Sequence, residues 1–227
     1  MKQYFSFQWH ITDECDQRCK HCYIFSENNC KHLDSMTWDQ MQDTFYNCLD
    51  FCEVYHRTPY FYLTGGDPIL HPDFWKLLEL MKQHSVPFPI PGNPFPLTDE
   101  VCRRLKEYGC EKYQLSLDGL RETHDWFRKP GSCLRCSKSI ISPSRFWAIP
   151  FIFRMKSVGG CNCGNCHLTI LPNGDLYACR RVQNSHVANV FTDRIADVWV
   201  GQMETYRDYT KFEKCSKCEL LAFCRGC

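Results

Sequence analysis

Apolar residues along the first 130 positions alternate between strand-like and helix-like spacing. The opening stretch "YFSFQWHIT" alternates apolar and polar positions and predicts a β-strand whose buried face is formed by Phe5, Phe7, Trp9 and Ile11. Thr37 and Gln40 then form the pattern of a capping box, and apolar residues at helical spacing follow them. The chain therefore begins with a predicted strand followed by a predicted helix.

The same alternation continues through three more predicted strands, "YFYLT", "VPFPIPGN" and "KYQLSLDG". Helical patterns separate them, one of which begins after Thr98 and ends at Gly109. Strands separated by helices predict a parallel sheet, which repeated right-handed crossovers curl toward a barrel. We expect an α/β fold with a partial (β/α) barrel of about four βα units, whose polar loops meet at the carboxyl ends of the strands.

Composition narrows the class of protein. The 227 residues are 44% hydrophobic and carry a net charge of +1, so no bulk field favours nucleic acid or a membrane surface as a partner. No run of 18 apolar residues and no signal peptide is recognisable, which predicts a cytoplasmic protein.

In a reducing compartment, 18 cysteines point to metal or iron-sulfur ligation. Four of them lie on or beside apolar helix faces and are expected to be core residues: Cys48, Cys52, Cys102 and Cys110.

Three cysteines follow the first predicted strand, in "TDECDQRCKHCYIF". Cys15, Cys19 and Cys22 offer three thiolates, which would leave one iron of a 4Fe-4S cluster open for a substrate or cofactor. The alternative is a zinc knuckle that borrows a fourth ligand such as His21. The spacing of this motif, its place after the first strand and "GGDP" after the second strand together resemble the radical S-adenosylmethionine (SAM) family.

The resemblance implies that the open iron chelates SAM and that one electron cleaves it to methionine and a 5′-deoxyadenosyl radical. In the family, an aromatic residue at the position of His21 lies against adenine, and a glycine-rich segment, here Gly65, Gly66 and Asp67, receives the SAM amino group. Asp67 stands where the family more often has Glu. By position, the remaining SAM contacts implied are Asn93, Ser116 and Arg128.

A second group of cysteines lies near the end of the chain. Cys161, Cys163 and Cys166 precede a predicted hairpin around Asn173 and Gly174, and "CSKCELLAFCRGC" follows an amphipathic stretch. A zinc ribbon also pairs two cysteine knuckles, but this order resembles the SPASM extension of radical SAM enzymes. The resemblance implies one auxiliary 4Fe-4S cluster on Cys161, Cys166, Cys179 and Cys227. It implies a second one on Cys215, Cys218 and Cys224, whose fourth cysteine the family places beyond Cys227. Three alternatives follow: this cluster has an open iron, or Cys163, Cys133 or Cys136 is a substitute fourth ligand, or the C-terminus has been lost.

The middle of the chain is short for this family. We expect a radical SAM partial barrel over 1–130, a shortened bridge over 131–160 and a SPASM-like auxiliary cluster domain, a cysteine-rich β-hairpin and helix extension, over 161–227. "CLRCSKSIISPSR" is polar and serine-rich and predicts a linker, while "FWAIPFIFRM" predicts a single strand. Barrel strands five and six are therefore expected to be largely missing.

The SPASM resemblance implies modification of a peptide or protein side chain, as in maturases of ribosomal peptides. The expected partners are a peptide or protein substrate and an electron donor such as flavodoxin or ferredoxin. The alternatives are an anaerobic sulfatase-maturing type of enzyme, a catalytically inactive iron-sulfur or zinc-binding relative or fragment, and an electron-transfer module. No catalytic side chain is recognisable in the sequence.

Overall fold

The computed structural model describes residues 3–25, 32–141, 148–150, 162–208, 211, 213–219 and 221. None of the helices in these ranges combines the length and the hydropathy of a membrane-spanning segment.

Four strand and helix pairs form the first part of the chain, as the hydrophobic pattern predicts. Their bounds are β1 (Tyr4–Thr12), α1 (Trp38–Val54), β2 (Thr58–Gly65), α2 (Phe74–Gln83), β3 (Phe88–Pro91), α3 (Asp99–Glu107), β4 (Cys110–Leu115) and α4 (Arg121–Phe127). β1 pairs with β2, and β3 pairs with β4, in both cases in parallel. β2 lies against β3, so the strands follow one another around a partial barrel.

Local signals account for where α1 and α3 begin. Thr37 accepts a hydrogen bond from the backbone of Gln40, whose side chain accepts one from the backbone of Thr37, so the predicted capping box is present. Thr98 caps α3 with its side-chain oxygen, which accepts a hydrogen bond from the backbone N–H of Val101. Gly109 follows α3 with φ +89°, a left-handed conformation that suits glycine at a helix end.

The core lies between the sheet and the helices. The predicted face of β1 is buried throughout, with Phe5, Phe7, Trp9 and Ile11 at most 1% exposed. The four cysteines that were expected to pack in the core are all buried: Cys48, Cys52, Cys102 and Cys110. Burial raises the pKa of the Cys48 thiol well above its usual value, which keeps it neutral.

The predicted linker after α4 is wrong, because the segment forms a helix, α5 (Ser132–Ile141). The cap that starts this helix comes from the preceding one. The Asp125 carboxylate accepts hydrogen bonds from the backbone N–H groups of Gly131 and Cys133, at 3.0 and 2.8 Å. Cys136 on α5 is 1% exposed and supplies its apolar contact. Neither contribution is visible in the periodicity of the segment itself.

The expectation that the fifth barrel strand is missing is wrong. β5 (Ala148–Pro150) pairs with β4, and it lies inside the stretch "FWAIPFIFRM" that predicted a strand. The residues that follow it, 151–161, lie outside the described part of the chain.

The C-terminal elements extend the sheet that contains β1 and β2, whereas β3, β4 and β5 form a separate three-stranded sheet. They are β6 (His167–Ile170), β7 (Asp175–Tyr177), β8 (His186–Asn189), α6 (Ile195–Val200) and α7 (Gln202–Arg207). β6 pairs in parallel with β1, and the strand order in this sheet is β2-β1-β6-β7-β8. Trp199 on α6 packs edge-on against Phe5 and Phe51, so the extension and the barrel share one core in the described residues. The boundary at residue 161 stays a prediction.

Candidate metal and cofactor site

Polar loops gather at the carboxyl ends of the parallel strands, where ligands bind in such folds. The cysteine loop follows β1, Gly66 and Asp67 follow β2, Asn93 follows β3, and Ser116 follows β4. Ser116 is half-buried there. Because these strands are parallel, four separate parts of the sequence meet at one end of the barrel.

The cysteine loop is held by backbone contacts to both flanks. The N–H of Asp13 donates to the carbonyl of Asp34, and the N–H of Lys20 donates to the carbonyl of Phe127, at 2.8 and 2.9 Å. A tight turn joins the second and third cysteines through a hydrogen bond from the N–H of Cys22 to the carbonyl of Cys19. All three cysteines of the motif are half-buried.

Two side chains direct N–H groups at the cysteine sulfurs. Asn93 Nδ2 lies 3.2 Å from the Sγ of Cys15 and 2.8 Å from Asp16 Oδ1. Arg128 Nη1 lies 3.9 Å from the Sγ of Cys19. Burial raises the pKa of Cys15 to about 11, and the backbone N–H of Gln17 and the Asn93 amide oppose that rise. The structure therefore places Asn93 and Arg128 against the cysteines, where their N–H groups stabilise negative charge on the sulfurs.

A carboxylate that sequence reasoning did not single out holds Arg128 in place. Asp118 binds the Arg128 guanidinium with both carboxylate oxygens, Nη2 lying 3.0 Å from Oδ1. Burial opposes ionisation of Asp118, but the guanidinium outweighs it and lowers the pKa of Asp118. The backbone N–H of Asp118 donates to Nδ1 of the buried His124, which fixes the loop after β4. Asp118 lies in the predicted strand segment "KYQLSLDG", but Arg128 is ten residues further along the chain, and no short motif marks the pair.

The glycine-rich segment packs directly against the cysteine loop. A Cβ at Gly65, where φ is +128°, would lie 2.1 Å from the carbonyl oxygen of Thr12, and one at Gly66 would lie 2.0 Å from that of Glu14. The same two oxygens accept hydrogen bonds from the N–H groups of Gly66 and Asp67, at 2.8 and 2.7 Å. Glycine is therefore required for the contact between this segment and the loop.

Asp67 is fully buried beneath that contact. Its Oδ1 accepts a hydrogen bond from the N–H of Ile69, while its Oδ2 has no partner among the described residues. Burial raises the pKa of Asp67 to about 7. Asp67 Oδ2 is therefore a buried polar atom without a hydrogen-bond partner among the described residues, next to the cysteine loop.

Aromatic rings cover the far side of the loop. The imidazole of His21 stacks on Phe127 with centroids 4.5 Å apart and an interplanar angle of 8°. Burial and the nearby Arg128 lower the pKa of His21, which favours the neutral ring. From the C-terminal part of the chain, the Arg180 guanidinium lies 4.2 Å from the ring centroid of Tyr23. Sequence reasoning missed Phe127 and Arg180, because each is distant in sequence from the ring it contacts.

The second cysteine group is described in part. Cys161, Cys224 and Cys227 lie outside the described residues, and only the backbone of Cys215 is described. Cys166 precedes β6, and Cys179 follows β7 closely. Since Thr169 pairs with Tyr177, the antiparallel register brings Cys166 and Cys179 to the same end of this hairpin. Cys163 is half-buried and Cys218 is exposed.

No three Cys, His, Asp or Glu side chains in the described part of the chain converge closely enough to hold a single metal ion. A 4Fe-4S cluster sets a different requirement, because each thiolate binds a different iron. Three half-buried thiols on one loop, with N–H donors at two sulfurs and a buried, partly unpaired carboxyl beside them, fit a cluster and a polar cofactor.

Family models cover most of the chain. One described as the radical SAM superfamily matches residues 9–141, and one described as an iron-sulfur cluster-binding domain (SPASM) matches residues 161–227.

Two curated relatives differ in what they make. Mycofactocin maturase MftC of Mycobacterium ulcerans (strain Agy99) is 31% identical over 127 residues, 55% of this chain and 32% of that protein. Fe-coproporphyrin III synthase of Methanosarcina barkeri (strain Fusaro / DSM 804) is 26% identical over 120 residues, 53% of this chain and 29% of that protein. The chain thus covers about a third of the length of these relatives.

Solved structures share the fold over the whole chain. BtrN in complex with AdoMet and 2-DOIA has a TM-score of 0.68 at 13% identity, over 100% of this chain and 94% of that chain. SuiB of Streptococcus suis bound to S-adenosylmethionine has a TM-score of 0.69 at 14% identity, over 100% and 71%. SuiB bound to precursor peptide SuiA has a TM-score of 0.57 at 14% identity, over 100% and 72%. These likenesses show the fold, and BtrN shows it in a chain of nearly the same length.

Proposed function

Because the chain belongs to the radical SAM superfamily, we propose that it binds a 4Fe-4S cluster and SAM at the cysteine loop and modifies a peptide or protein side chain. The observation that carries this proposal is the meeting of Cys15, Cys19 and Cys22 with Asn93 and Arg128 at the carboxyl ends of the strands. When bound, the cluster and SAM would supply one-electron cleavage of SAM to methionine and a 5′-deoxyadenosyl radical that abstracts hydrogen.

The chain's own residues would bind and orient these groups. The three cysteines would provide thiolate ligands, and the amide of Asn93 and the guanidinium of Arg128 would donate hydrogen bonds to the sulfurs. Asp118 would keep Arg128 at that position. The segment Gly65–67, docked on the loop, would present backbone and carboxyl groups to the SAM amino group, and His21, held by Phe127, would lie beside adenine.

Auxiliary clusters are part of the same proposal. Cys161, Cys166, Cys179 and Cys227 would hold one, and Cys215, Cys218 and Cys224 a second. The match of a SPASM model to residues 161–227 supports this assignment. Iron and sulfide analysis of the reconstituted chain tests it: Cys179→Ala should lose about four irons while keeping those of the first motif. Unchanged iron content in that variant would remove Cys179 from the ligand set.

The names of the relatives support a peptide substrate. One is a maturase, and a neighbour of the same fold binds a precursor peptide. A tetrapyrrole is the second candidate, supported by the relative that is named an Fe-coproporphyrin III synthase. In either case the reaction needs one electron at a time, and we propose a flavodoxin or ferredoxin as the donor.

Formation of 5′-deoxyadenosine tests the proposal. The chain is reconstituted anaerobically with iron and sulfide, mixed with SAM and dithionite, and analysed by mass spectrometry. The variant that carries Cys15→Ala, Cys19→Ala and Cys22→Ala should form none, whereas Cys48→Ala, which removes a buried core cysteine, should retain activity. Stimulation by peptides rather than by coproporphyrin would identify the substrate class. Clusters that assemble without any deoxyadenosine would overturn the enzymatic assignment.

A further inference from the structure

A concave site lies at the end of the strands opposite the cysteine loop. A pocket of about 510 Å³ opens at the amino ends of β1, β2 and β4, away from the cysteine loop. Three tyrosines and one glutamate dominate its lining: Tyr4, Tyr60, Tyr62 and Glu111. Cys166, the proposed auxiliary ligand, also contributes to the wall. The reactions considered above assign no role to the tyrosines or to the glutamate.

Strand periodicity places the tyrosines on one face. Along β2, Tyr60 and Tyr62 alternate with Phe61 and Leu63, which are fully buried in the core. The side chains of β1 alternate in the same way, and Tyr4 is 53% exposed. A fold that needed only a covered inner face would place aliphatic residues here. The tyrosines instead line the pocket with aromatic rings that carry hydroxyl groups.

The rings are arranged at steep angles to one another. Tyr4 and Tyr60 have centroids 5.9 Å apart at 72°, and Tyr60 and Tyr62 have centroids 5.3 Å apart at 76°. Both pairs are edge-to-face contacts, which hold the three rings in fixed orientations at the wall of the pocket.

One carboxylate is fixed beside these rings. The hydroxyl of Tyr60 donates a hydrogen bond to Oε2 of Glu111 at 3.1 Å, which orients the carboxylate. None of the described residues that line the pocket is basic. The pocket thus combines a negative charge, electron-rich ring faces and free volume, and it lacks a positive charge among its described lining residues.

We propose that this pocket binds an organic cation, the ammonium of a lysine side chain or the guanidinium of an arginine side chain. Such a group pairs with Glu111 and lies against the faces of Tyr60 and Tyr62. A neutral aromatic ligand would contact the rings but would leave the carboxylate without a counter-charge. The part of this inference that assigns the cation to the modified peptide rests on the proposed function. The part that assigns a cation-binding site to the pocket does not depend on the proposed function.

Binding of small probes tests the site directly. The full chain, reconstituted anaerobically and without SAM or reductant, is titrated with Nα-acetyl-lysine N-methylamide, Nα-acetyl-arginine N-methylamide and the neutral Nα-acetyl-norleucine N-methylamide, followed by NMR. The two cationic probes should bind at least tenfold more tightly than the norleucine derivative. Glu111→Gln should weaken their binding at least fivefold, and Tyr62→Leu should weaken it by a similar factor.

Matched variants separate the pocket from general effects. Glu107→Gln changes an exposed glutamate on α3, and Tyr46→Leu changes a tyrosine on α1 that is 45% exposed, so neither should alter binding. If Tyr62→Leu fails to fold, Tyr60→Phe keeps the ring, removes the hydrogen bond to Glu111, and should weaken binding by a smaller factor. A norleucine derivative that binds as tightly as the lysine derivative, or a Glu111→Gln variant that matches Glu107→Gln, overturns the proposal.

A further probe separates the two sources of a cation. n-Butylammonium carries the charge without peptide groups, so weaker binding than the lysine derivative assigns the site to peptide side chains, and equal binding assigns it to free amines. Because no SAM cleavage is involved, absent probe binding refutes the cation site alone. Absent deoxyadenosine formation with intact probe binding refutes the proposed function alone.

Discussion

Replacing Gly65 with alanine tests whether the glycine-rich segment must touch the cysteine loop. The added Cβ would lie 2.1 Å from the carbonyl oxygen of Thr12, the same oxygen that accepts a 2.8 Å hydrogen bond from Gly66. The two backbones must separate by about 1 Å, because contacts below 3.0 Å are essentially never observed. That movement breaks the hydrogen bond and leaves the N–H group of the half-buried Gly66 without its partner.

The magnitude follows from these contacts. Losing the hydrogen bond of a half-buried donor costs about 0.5–1.5 kcal/mol, and overpacking against a rigid neighbour costs about 1–3 kcal/mol. An alanine at positive φ adds about 1–2 kcal/mol through its own backbone strain. Gly109, with φ +89° and no atom within 4 Å of an added Cβ, isolates the strain alone. The difference between the two alanine variants is therefore expected to be about 3 kcal/mol, or roughly 10 °C in Tm.

Thermal unfolding of both variants, followed by circular dichroism at one scan rate under anaerobic conditions, measures this difference. Gly65→Ala should also lose most of its affinity for SAM in calorimetric titrations, while Gly109→Ala should keep it. If the two variants unfold within about 2 °C of each other, the packing argument for Gly65 is refuted, since a difference that small is below about 1 kcal/mol.

Three further substitutions follow from the site and the core. Since burial raises the pKa of Asp67 from 3.8 to about 7, the fold favours the protonated acid, and stability falls as pH rises through 4 to 7. In urea unfolding, the free energy of unfolding should fall by up to about 4 kcal/mol less between pH 4 and 8 in Asp67→Asn than in the unsubstituted chain. An equal fall in both would contradict the raised pKa of Asp67. Arg128→Met removes the N–H donor at Cys19 and should lower the cluster's midpoint potential in EPR redox titrations. The control Arg104→Met removes an arginine that lies over Trp75 and should leave the potential unchanged. Equal potentials in the two variants would exclude Arg128 as an N–H donor to Cys19. Cys48→Ala should cost about 1–2 kcal/mol of stability with unchanged bound iron, and iron loss would contradict its role in the core.

The sequence predicted the elements that depend on local chemistry. Alternation along β1 and the capping box at Thr37 act within a few residues, and the structure contains both. The cysteine spacing of the first motif acts over eight positions, and the match to the radical SAM superfamily confirms the family that it indicated. The part of the fold that could be predicted is therefore the part whose causes are adjacent in sequence.

Contacts between residues that are distant in sequence determine two features that the sequence did not predict, the helix α5 and the position of β6 in the sheet. α5 begins because Asp125 of the preceding helix caps it, so a polar, serine-rich segment became a helix instead of the predicted linker. β6 adds to the free edge of β1 although some 155 residues separate them, which residue patterns alone cannot indicate.

The site shows the same division. The chain itself specifies Cys15, Cys19 and Cys22 as neighbours on one loop. Only the tertiary structure brings Asn93 and Arg128 to their sulfurs and Asp118 to Arg128, because a parallel sheet collects the ends of strands that are far apart in sequence. Spacing in the sequence therefore determined which residues can act as ligands, and the packing of strands and helices determined which polar groups surround them.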